Sequence, residues 1–289
     1  MSAVAAEPRL PRAEAVMAQA PEENFPVASR LLGADVRRHL IAIYGFARLV
    51  DDTGDEAAGD RLALLDELDR EVSRLYAGEL PEHPLMRRLA PTVTATGIPA
   101  EPLRALIAAG RQDQRVSSYR TFDDLLGYCE LSANPVGRLV LYVFGRATPE
   151  RLRLSDSICS GLQVVEHLQD VGEDLARGRV YLPEEDMRRF GCGPADLERR
   201  PASGPVRALV QFEAERARRL LDDGAPLVRT LPGRPALAVA AFVGGGRAAL
   251  RAIERAGYDV LGAPPRASAP ARAVAWLAVL GEQLARGRR

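Results

Sequence analysis

Lysine is absent from this 289-residue sequence, and all 39 basic residues are arginine. That excludes a phosphate-loop lysine, a pyridoxal Schiff base and a kinase-type catalytic lysine. Net charge is absent too: 39 acidic residues balance the arginines, which removes the electrostatic basis for nucleic-acid binding. Cysteine is scarce, and Cys129, Cys159 and Cys192 are too few and too scattered for a disulfide framework or a zinc site. No two of His39, His83 and His167 have metal-ligand spacing on one helix. Long hydrophobic runs are missing. The longest, Ala236 to Gly246, stops at Arg247, short of a bilayer span, so no transmembrane segment is expected. The first two dozen residues lack the apolar stretch of a signal peptide, and a soluble cytoplasmic protein is expected.

What is present is helical. Hydrophobic residues at 47% and charged residues at 27% exclude disorder. Alanine, leucine and arginine favour helices, and alternating β-branched patterns are nearly missing. Leu62, Leu64, Leu65, Leu68 and Val72 recur at helical spacing. Thr148-Pro149-Glu150 predicts a helix start, with Gly178 as its stop after Arg177. Thr121 with Asp124 opens a helix through Tyr128 towards Gly145. Residues 178–206, rich in proline and glycine, predict a long irregular connection. Gly244-Gly245-Gly246 reads as a close helix contact or a break, since it lacks GxGxxG spacing. Residues 1–20 are expected to be a flexible N-terminal tail, and 21–289 a single all-α domain.

Two acidic motifs carry the chemistry. Asp51-Asp52-Thr53-Gly54-Asp55-Glu56 follows the apolar run Leu40–Val50, and Tyr44, Arg48, Asp51 and Asp55 share a helix face. Asp170-Val171-Gly172-Glu173-Asp174 follows a second apolar helix, with Gln163, Glu166, Asp170 and Asp174 on one face. Aspartates four apart repel each other on a helix, and burial raises that cost. Mg²⁺ removes the conflict, because it takes oxygen ligands, using one or two carboxylates while keeping waters and substrate phosphates. Two such pairs facing each other across a bundle would hold Mg²⁺ ions against a diphosphate and stabilise its departure. One DxxxD is a common solvated face; two on otherwise apolar helices are not. The stretch Asp60, Glu67, Asp69 and Glu71, interleaved with arginines, reads as surface. Tyr128 and Cys129 read as core when taken alone, as does His167.

Together these residues resemble the squalene/phytoene synthase family over roughly 20–262. Tyr44, Arg48, Asp51 and Asp55 match its first aspartate-rich motif. DVGEDLARGRVYLP at 170–183 matches the second, and Tyr128-Cys129 with Ala133 and Gly137 matches an intervening segment. ENFPVAS at 23–29, SANPVGR at 132–138 and QDV at 169–171 look most like the family's hydroxysqualene synthase branch from bacterial hopanoid pathways. The resemblance implies a class I isoprenoid synthase bundle with a central cavity. It implies a carbon–oxygen lyase type reaction, in which presqualene diphosphate and water give hydroxysqualene and diphosphate.

Within the resemblance, Asp51, Asp55, Asp170 and Asp174 would be catalytic metal ligands for Mg²⁺, with Glu166 as an additional ligand. Tyr44, Arg48, Gln163 and Asn24 would contact the substrate, and Tyr128 would steady a carbocation. Condensing relatives usually carry asparagine at the position of Glu166 and arginine at that of Gln169, which suits two diphosphates rather than one. The partners implied are a prenyl diphosphate, other squalene-pathway enzymes by functional coupling, and a membrane surface by peripheral association. A head-to-head condensing synthase and a non-catalytic scaffold of the same fold stand as alternatives.

Overall fold

Helix starts are written in hydroxyl side chains. Thr121 accepts from the Asp124 amide in a complete capping box, Thr148 accepts from Arg151, and Ser203 from Val206. The computed structural model describes residues 9–18 and 32–286. Its helices are α1 Ala13–Ala18, α2 Ala34–Asp55, α3 Arg61–Ala77, α4 Pro84–Thr96, α5 Ala100–Asp113, α6 Phe122–Ser132, α7 Asn134–Val143, α8 Pro149–Gln169, α9 Val171–Ala176, α10 Glu184–Arg189, α11 Pro194–Leu197, α12 Gly204–Gly224, α13 Leu227–Thr230, α14 Arg234–Arg255 and α15 Ala269–Arg286. Among the described residues the only β feature is an isolated bridge between Ser118 and Val180. The all-α expectation holds.

The chain falls into two compact units, one drawn from Met1–Val116 with Arg138–Gly145 and the other from Ser117–Gly137 with Arg146–Arg289. The sequence showed no linker to announce this, because the division does not follow chain order. In the first unit α2 packs on α1, α3, α4 and α5. Leu40, Ile43, Phe46 and Leu49 of α2 are buried with Leu64, Leu65, Leu68 and Val72 of α3, as the spacing predicts. Part of the expected tail is tied down: α1 buries Ala13 and Val16 in contact with α2. Glu71, expected at the surface, is buried, since its carboxylate accepts from the His83 amide at 2.8 Å and from Arg74 at 3.1 Å.

In the second unit α8 packs on α6, α9, α12, α13 and α14. Asn134 and Gly137, from the SANPVGR stretch, serve this packing. The Ser160 hydroxyl donates to Asn134 Oδ1 at 3.0 Å, and a Cβ on Gly137 would lie 2.4 Å from Ser155 Oγ. Two expected helices are interrupted. The one opened by Thr121 breaks at Ala133, and the one opened by Thr148 breaks at Asp170, which separates α8 from α9. The connection 178–206 is not wholly irregular, since it forms α10 and α11. Helix α14 is apolar and long enough to cross a membrane by length and composition alone, but half of that window is buried inside the protein.

A buried ionic cluster joins α10 to α12. Asp186 and Glu213 both meet Arg216, whose guanidinium lies 4.4 Å over the rings of Phe122 and Phe212. Burial pushes the Glu213 carboxyl up to about 8; Arg216 works against this and Asp186 adds to it. A folded-state value above the ordinary carboxylate range means that folding takes up a proton. The resulting stability is complete at acid pH and is lost as pH rises through 8. Glu213→Gln, which cannot ionise, should therefore hold its thermal midpoint better than wild type as pH rises from about 4.5 to about 8. Parallel declines of the two midpoints would reject this assignment.

Candidate active site

The first acidic motif belongs to the first unit, at the C-terminal end of α2. Burial of its apolar side turns Asp51 and Asp55 out to solvent, while Tyr44 is buried. Tyr44 therefore does not share the aspartates' solvent exposure, although the four were expected on one face. Arg48 is held by a residue the sequence reading passed over: its Nε lies 2.7 Å from Oδ1 of buried Asp52, and Nη2 lies 3.7 Å from Glu56. The signal was the i,i+4 spacing of Arg48 and Asp52. The pair orients the guanidinium before any anion arrives. The end of the motif is fixed as well, because the Gln114 amide donates to the Gly54 carbonyl at 2.8 Å. Asn24 lies outside the described residues.

The second motif belongs to the second unit and straddles the break after α8. The Asp170 amide still donates to the Glu166 carbonyl at 3.0 Å, and the Asp174 amide to the Asp170 carbonyl at 2.8 Å. Glu166 is exposed, whereas Asp170 and Asp174 are partly buried. Burial, then Glu173, then Asp174 push the Asp170 carboxyl above the ordinary range, and Arg266 and His167 partly offset this. Gln169 does not point freely at the motif, because its amide donates to the Pro265 carbonyl.

His167 contributes more than a packed ring. It stacks on Tyr181 with centroids 3.7 Å apart and planes 9° apart. The Gln163 amide donates to its Nε2 at 3.3 Å, which leaves the ring proton on Nδ1, 3.8 Å from Asp174. Gln163 thus reaches the motif through the imidazole. Tyr128, on α6, lies 5.5 Å from Tyr119, 5.7 Å from Tyr181 and 6.3 Å from His167, centroid to centroid. The sequence pointed only to Tyr128 in this cluster. Tyr119 and Tyr181 arrive through backbone bonds between distant segments, Val180 N–H to Ser117 at 2.8 Å and Glu184 N–H to Tyr119 at 2.9 Å. Beside Tyr128, burial pushes the Cys129 thiol up to about 12, so it stays neutral.

Among the described residues no three His, Cys, Asp or Glu side chains converge into a ready metal cage. The donor set still fits a hard cation that brings its own waters. Asp170 is desolvated beside two further carboxylates, a conflict that bound positive charge relieves, and Mg²⁺ needs only one or two protein carboxylates.

A family model for squalene/phytoene synthase matches residues 18–273. The chain belongs to the squalene/phytoene synthase family. Within that family it is 35% identical to a hydroxysqualene synthase of Zymomonas mobilis over 69% of this chain and 68% of the relative. It is 37% identical to one of Rhodopseudomonas palustris over 71% of this chain and 70% of the relative. A squalene synthase HpnC structure from Alicyclobacillus acidocaldarius superposes with a TM-score of 0.80 at 43% identity, covering 86% of this chain and 93% of that one. A dehydrosqualene synthase structure with a TM-score of 0.84 at 22% identity, covering 94% and 95%, shares the fold. The matched range 18–273 spans the aromatic cluster around Tyr128 and the α8–α9 break at Asp170.

Proposed function

We propose that this synthase converts presqualene diphosphate and water to hydroxysqualene and diphosphate. The observation that carries this reading is the similarity to relatives named hydroxysqualene synthase, with both acidic motifs intact. Asp51, Asp55, Asp170 and Asp174, with Glu166 at the exposed edge, are the ligands proposed for Mg²⁺. When bound, Mg²⁺ neutralises the diphosphate leaving group. Arg48, already oriented by Asp52, offers a forked donor to phosphate oxygens. Tyr44 and Asn24 complete the proposed substrate contacts. Gln163 acts through His167, whose stack on Tyr181 holds one wall of the aromatic cluster. The π faces of Tyr128, Tyr119 and Tyr181 attract the cation formed when the carbon–oxygen bond breaks.

A second reading, head-to-head condensation, is favoured by 32% identity to a 15-cis-phytoene synthase of Synechococcus elongatus over 82% of both chains. Incubation with presqualene diphosphate and Mg²⁺, without reductant, should yield hydroxysqualene, while farnesyl diphosphate alone should yield nothing. Turnover of farnesyl diphosphate would favour the second reading. Gln169→Arg with Glu166→Asn should strengthen farnesyl diphosphate binding, since arginine can keep the Pro265 bond and add a fixed cation. Unchanged or weaker binding in a titration would detach these two positions from substrate choice.

A further inference from the structure

Within the second unit, four hydrogen bonds sew the start of α10 to residues 118–122. Ser118 Oγ donates to Glu184 and the Phe122 amide to Glu185, each at 2.9 Å. The Glu184 amide donates back to the Tyr119 carbonyl at 2.9 Å, and the Glu185 amide to that of Arg120 at 3.0 Å. Tyr119 and Tyr181, two walls of the aromatic cluster, therefore ride on one joined pair of segments. Helix α10 has only six residues, whereas α12 has 21 and packs on α8, which carries His167. Arg216 of α12 pairs with Asp186 of α10 and lies 4.4 Å over the ring of Phe122. One guanidinium thus fastens both segments to the long helix.

This fastening has more charge to balance than one arginine supplies. Asp186 and Glu213 are 3% and 1% exposed, and Arg216 meets both. Two buried carboxylates against one guanidinium leave a net negative charge, which a single retained proton cancels. Glu213 is the side chain that keeps it, since burial, opposed by Arg216 and helped by Asp186, holds its carboxyl at about 8. Asp186 is within hydrogen-bond reach of Glu213, and two carboxyls bond to each other only while one holds a proton. Among the described residues no donor reaches Glu213 Oε2. Asp186 from α10 and Arg216 from α12 are the charged groups that act on Glu213. Arg189 of α10 lies over Phe212 at 4.6 Å, and Glu254 of α14 is engaged with Arg218.

We propose that Asp186, Glu213 and Arg216 form a proton-dependent post that positions Tyr119 and Tyr181 in the aromatic cluster, with Glu213 a positioning residue for turnover. While Glu213 holds its proton the post is neutral and α10 stays clamped to α12. When the proton leaves, two carboxylates compete for one guanidinium. The six-residue α10 is the element that yields, and the two tyrosines move with it. The effect on turnover rests on the cation-stabilising role proposed above for these rings; the effect on the rings themselves does not.

Near-ultraviolet circular dichroism of the substrate-free full chain reads the tyrosines, and steady-state kinetics with presqualene diphosphate and Mg²⁺ reads the consequence. Between about pH 7 and pH 9 the wild-type tyrosine band should change. Over the same range kcat should fall about tenfold with little change in KM, following the protonated fraction of a group that titrates at about 8. Glu213→Gln, whose amide donates to Asp186 at any pH, should show neither change. Asp186→Asn should move both changes to lower pH, because Asp186 helps to hold the proton on Glu213. Thermal midpoints at each pH establish that the variants are folded, and either variant alone carries the test. A wild-type tyrosine band that ignores pH, or one that changes equally in folded Glu213→Gln, overturns the proposal. So does a band that moves while turnover stays level. A pH-dependent band that Glu213→Gln abolishes, in a protein giving no product from presqualene diphosphate at any pH, upholds the post and overturns the reaction assigned to the site.

Discussion

Asp170→Asn and Asp51→Asn should each lower turnover of presqualene diphosphate by about 100-fold or more, the scale for groups that stabilise developing charge directly. The two should differ in what happens without substrate. Asp170 is partly buried beside Glu173 and Asp174, so removing its charge relieves repulsion, and Asp170→Asn should melt no earlier than wild type. Asp51 is exposed, and its replacement should leave the melting temperature unchanged. Adding Mg²⁺ with inorganic pyrophosphate should raise the wild-type midpoint and should do so much less in either variant. Near-wild-type rates at saturating Mg²⁺ in both variants would reject the metal assignment. Lost activity with an intact pyrophosphate shift would move the aspartates from binding to some later step.

Two neighbouring glycines should respond in opposite directions to the same substitution. At Gly244 a methyl group would meet backbone atoms of α15, 2.7 Å from Trp276 N and 2.8 Å from its Cα, and backbone does not step aside. Gly244→Ala should cost about 1–3 kcal/mol or release α15 from α14. At Gly245 nothing lies within 4 Å, so the same change adds helix propensity without a clash. Gly245→Ala should stabilise by roughly 0.5–1 kcal/mol. Urea titrations followed by Trp276 fluorescence would read both changes, because Trp276 sits at the contact itself. If both substitutions shift the midpoint in the same direction, the close approach is not what requires Gly244.

The glycine triplet shows how far the sequence could be read. Its composition announced a close contact or a break. Only the helix phase, with α15 on one side of α14, tells which glycine is obligatory. Caps were legible because they are local: Thr121 and Thr148 bond to amides three residues ahead. The break at Asp170 was not legible, since no proline or glycine occupies that position and the apolar period runs straight through it. Glu71 was misjudged because its partner, the His83 amide, stands beyond the end of its own helix. In the candidate site the aspartates were readable from spacing and from family resemblance. Asp52 was hidden in plain view as the i+4 partner of Arg48, and Tyr119 had no signal at all. Aromatic neighbours drawn from remote segments leave no period in a sequence.

The crossing between residues 117–122 and 180–185 has a consequence for how the second motif comes into being. Ser118 bonds to Glu184, and Phe122 to Glu185, across separations of 66 and 63 residues. Chain-closure entropy grows only logarithmically with length, so drawing these ends together costs little more than closing a loop half as long. The stretch carrying Tyr181 has no helix of its own and takes its order from these partners far upstream. Once closed, it should behave in hydrogen exchange as structured backbone despite its loop-like outline, with the Val180, Glu184 and Glu185 amides opening together as one cooperative unit.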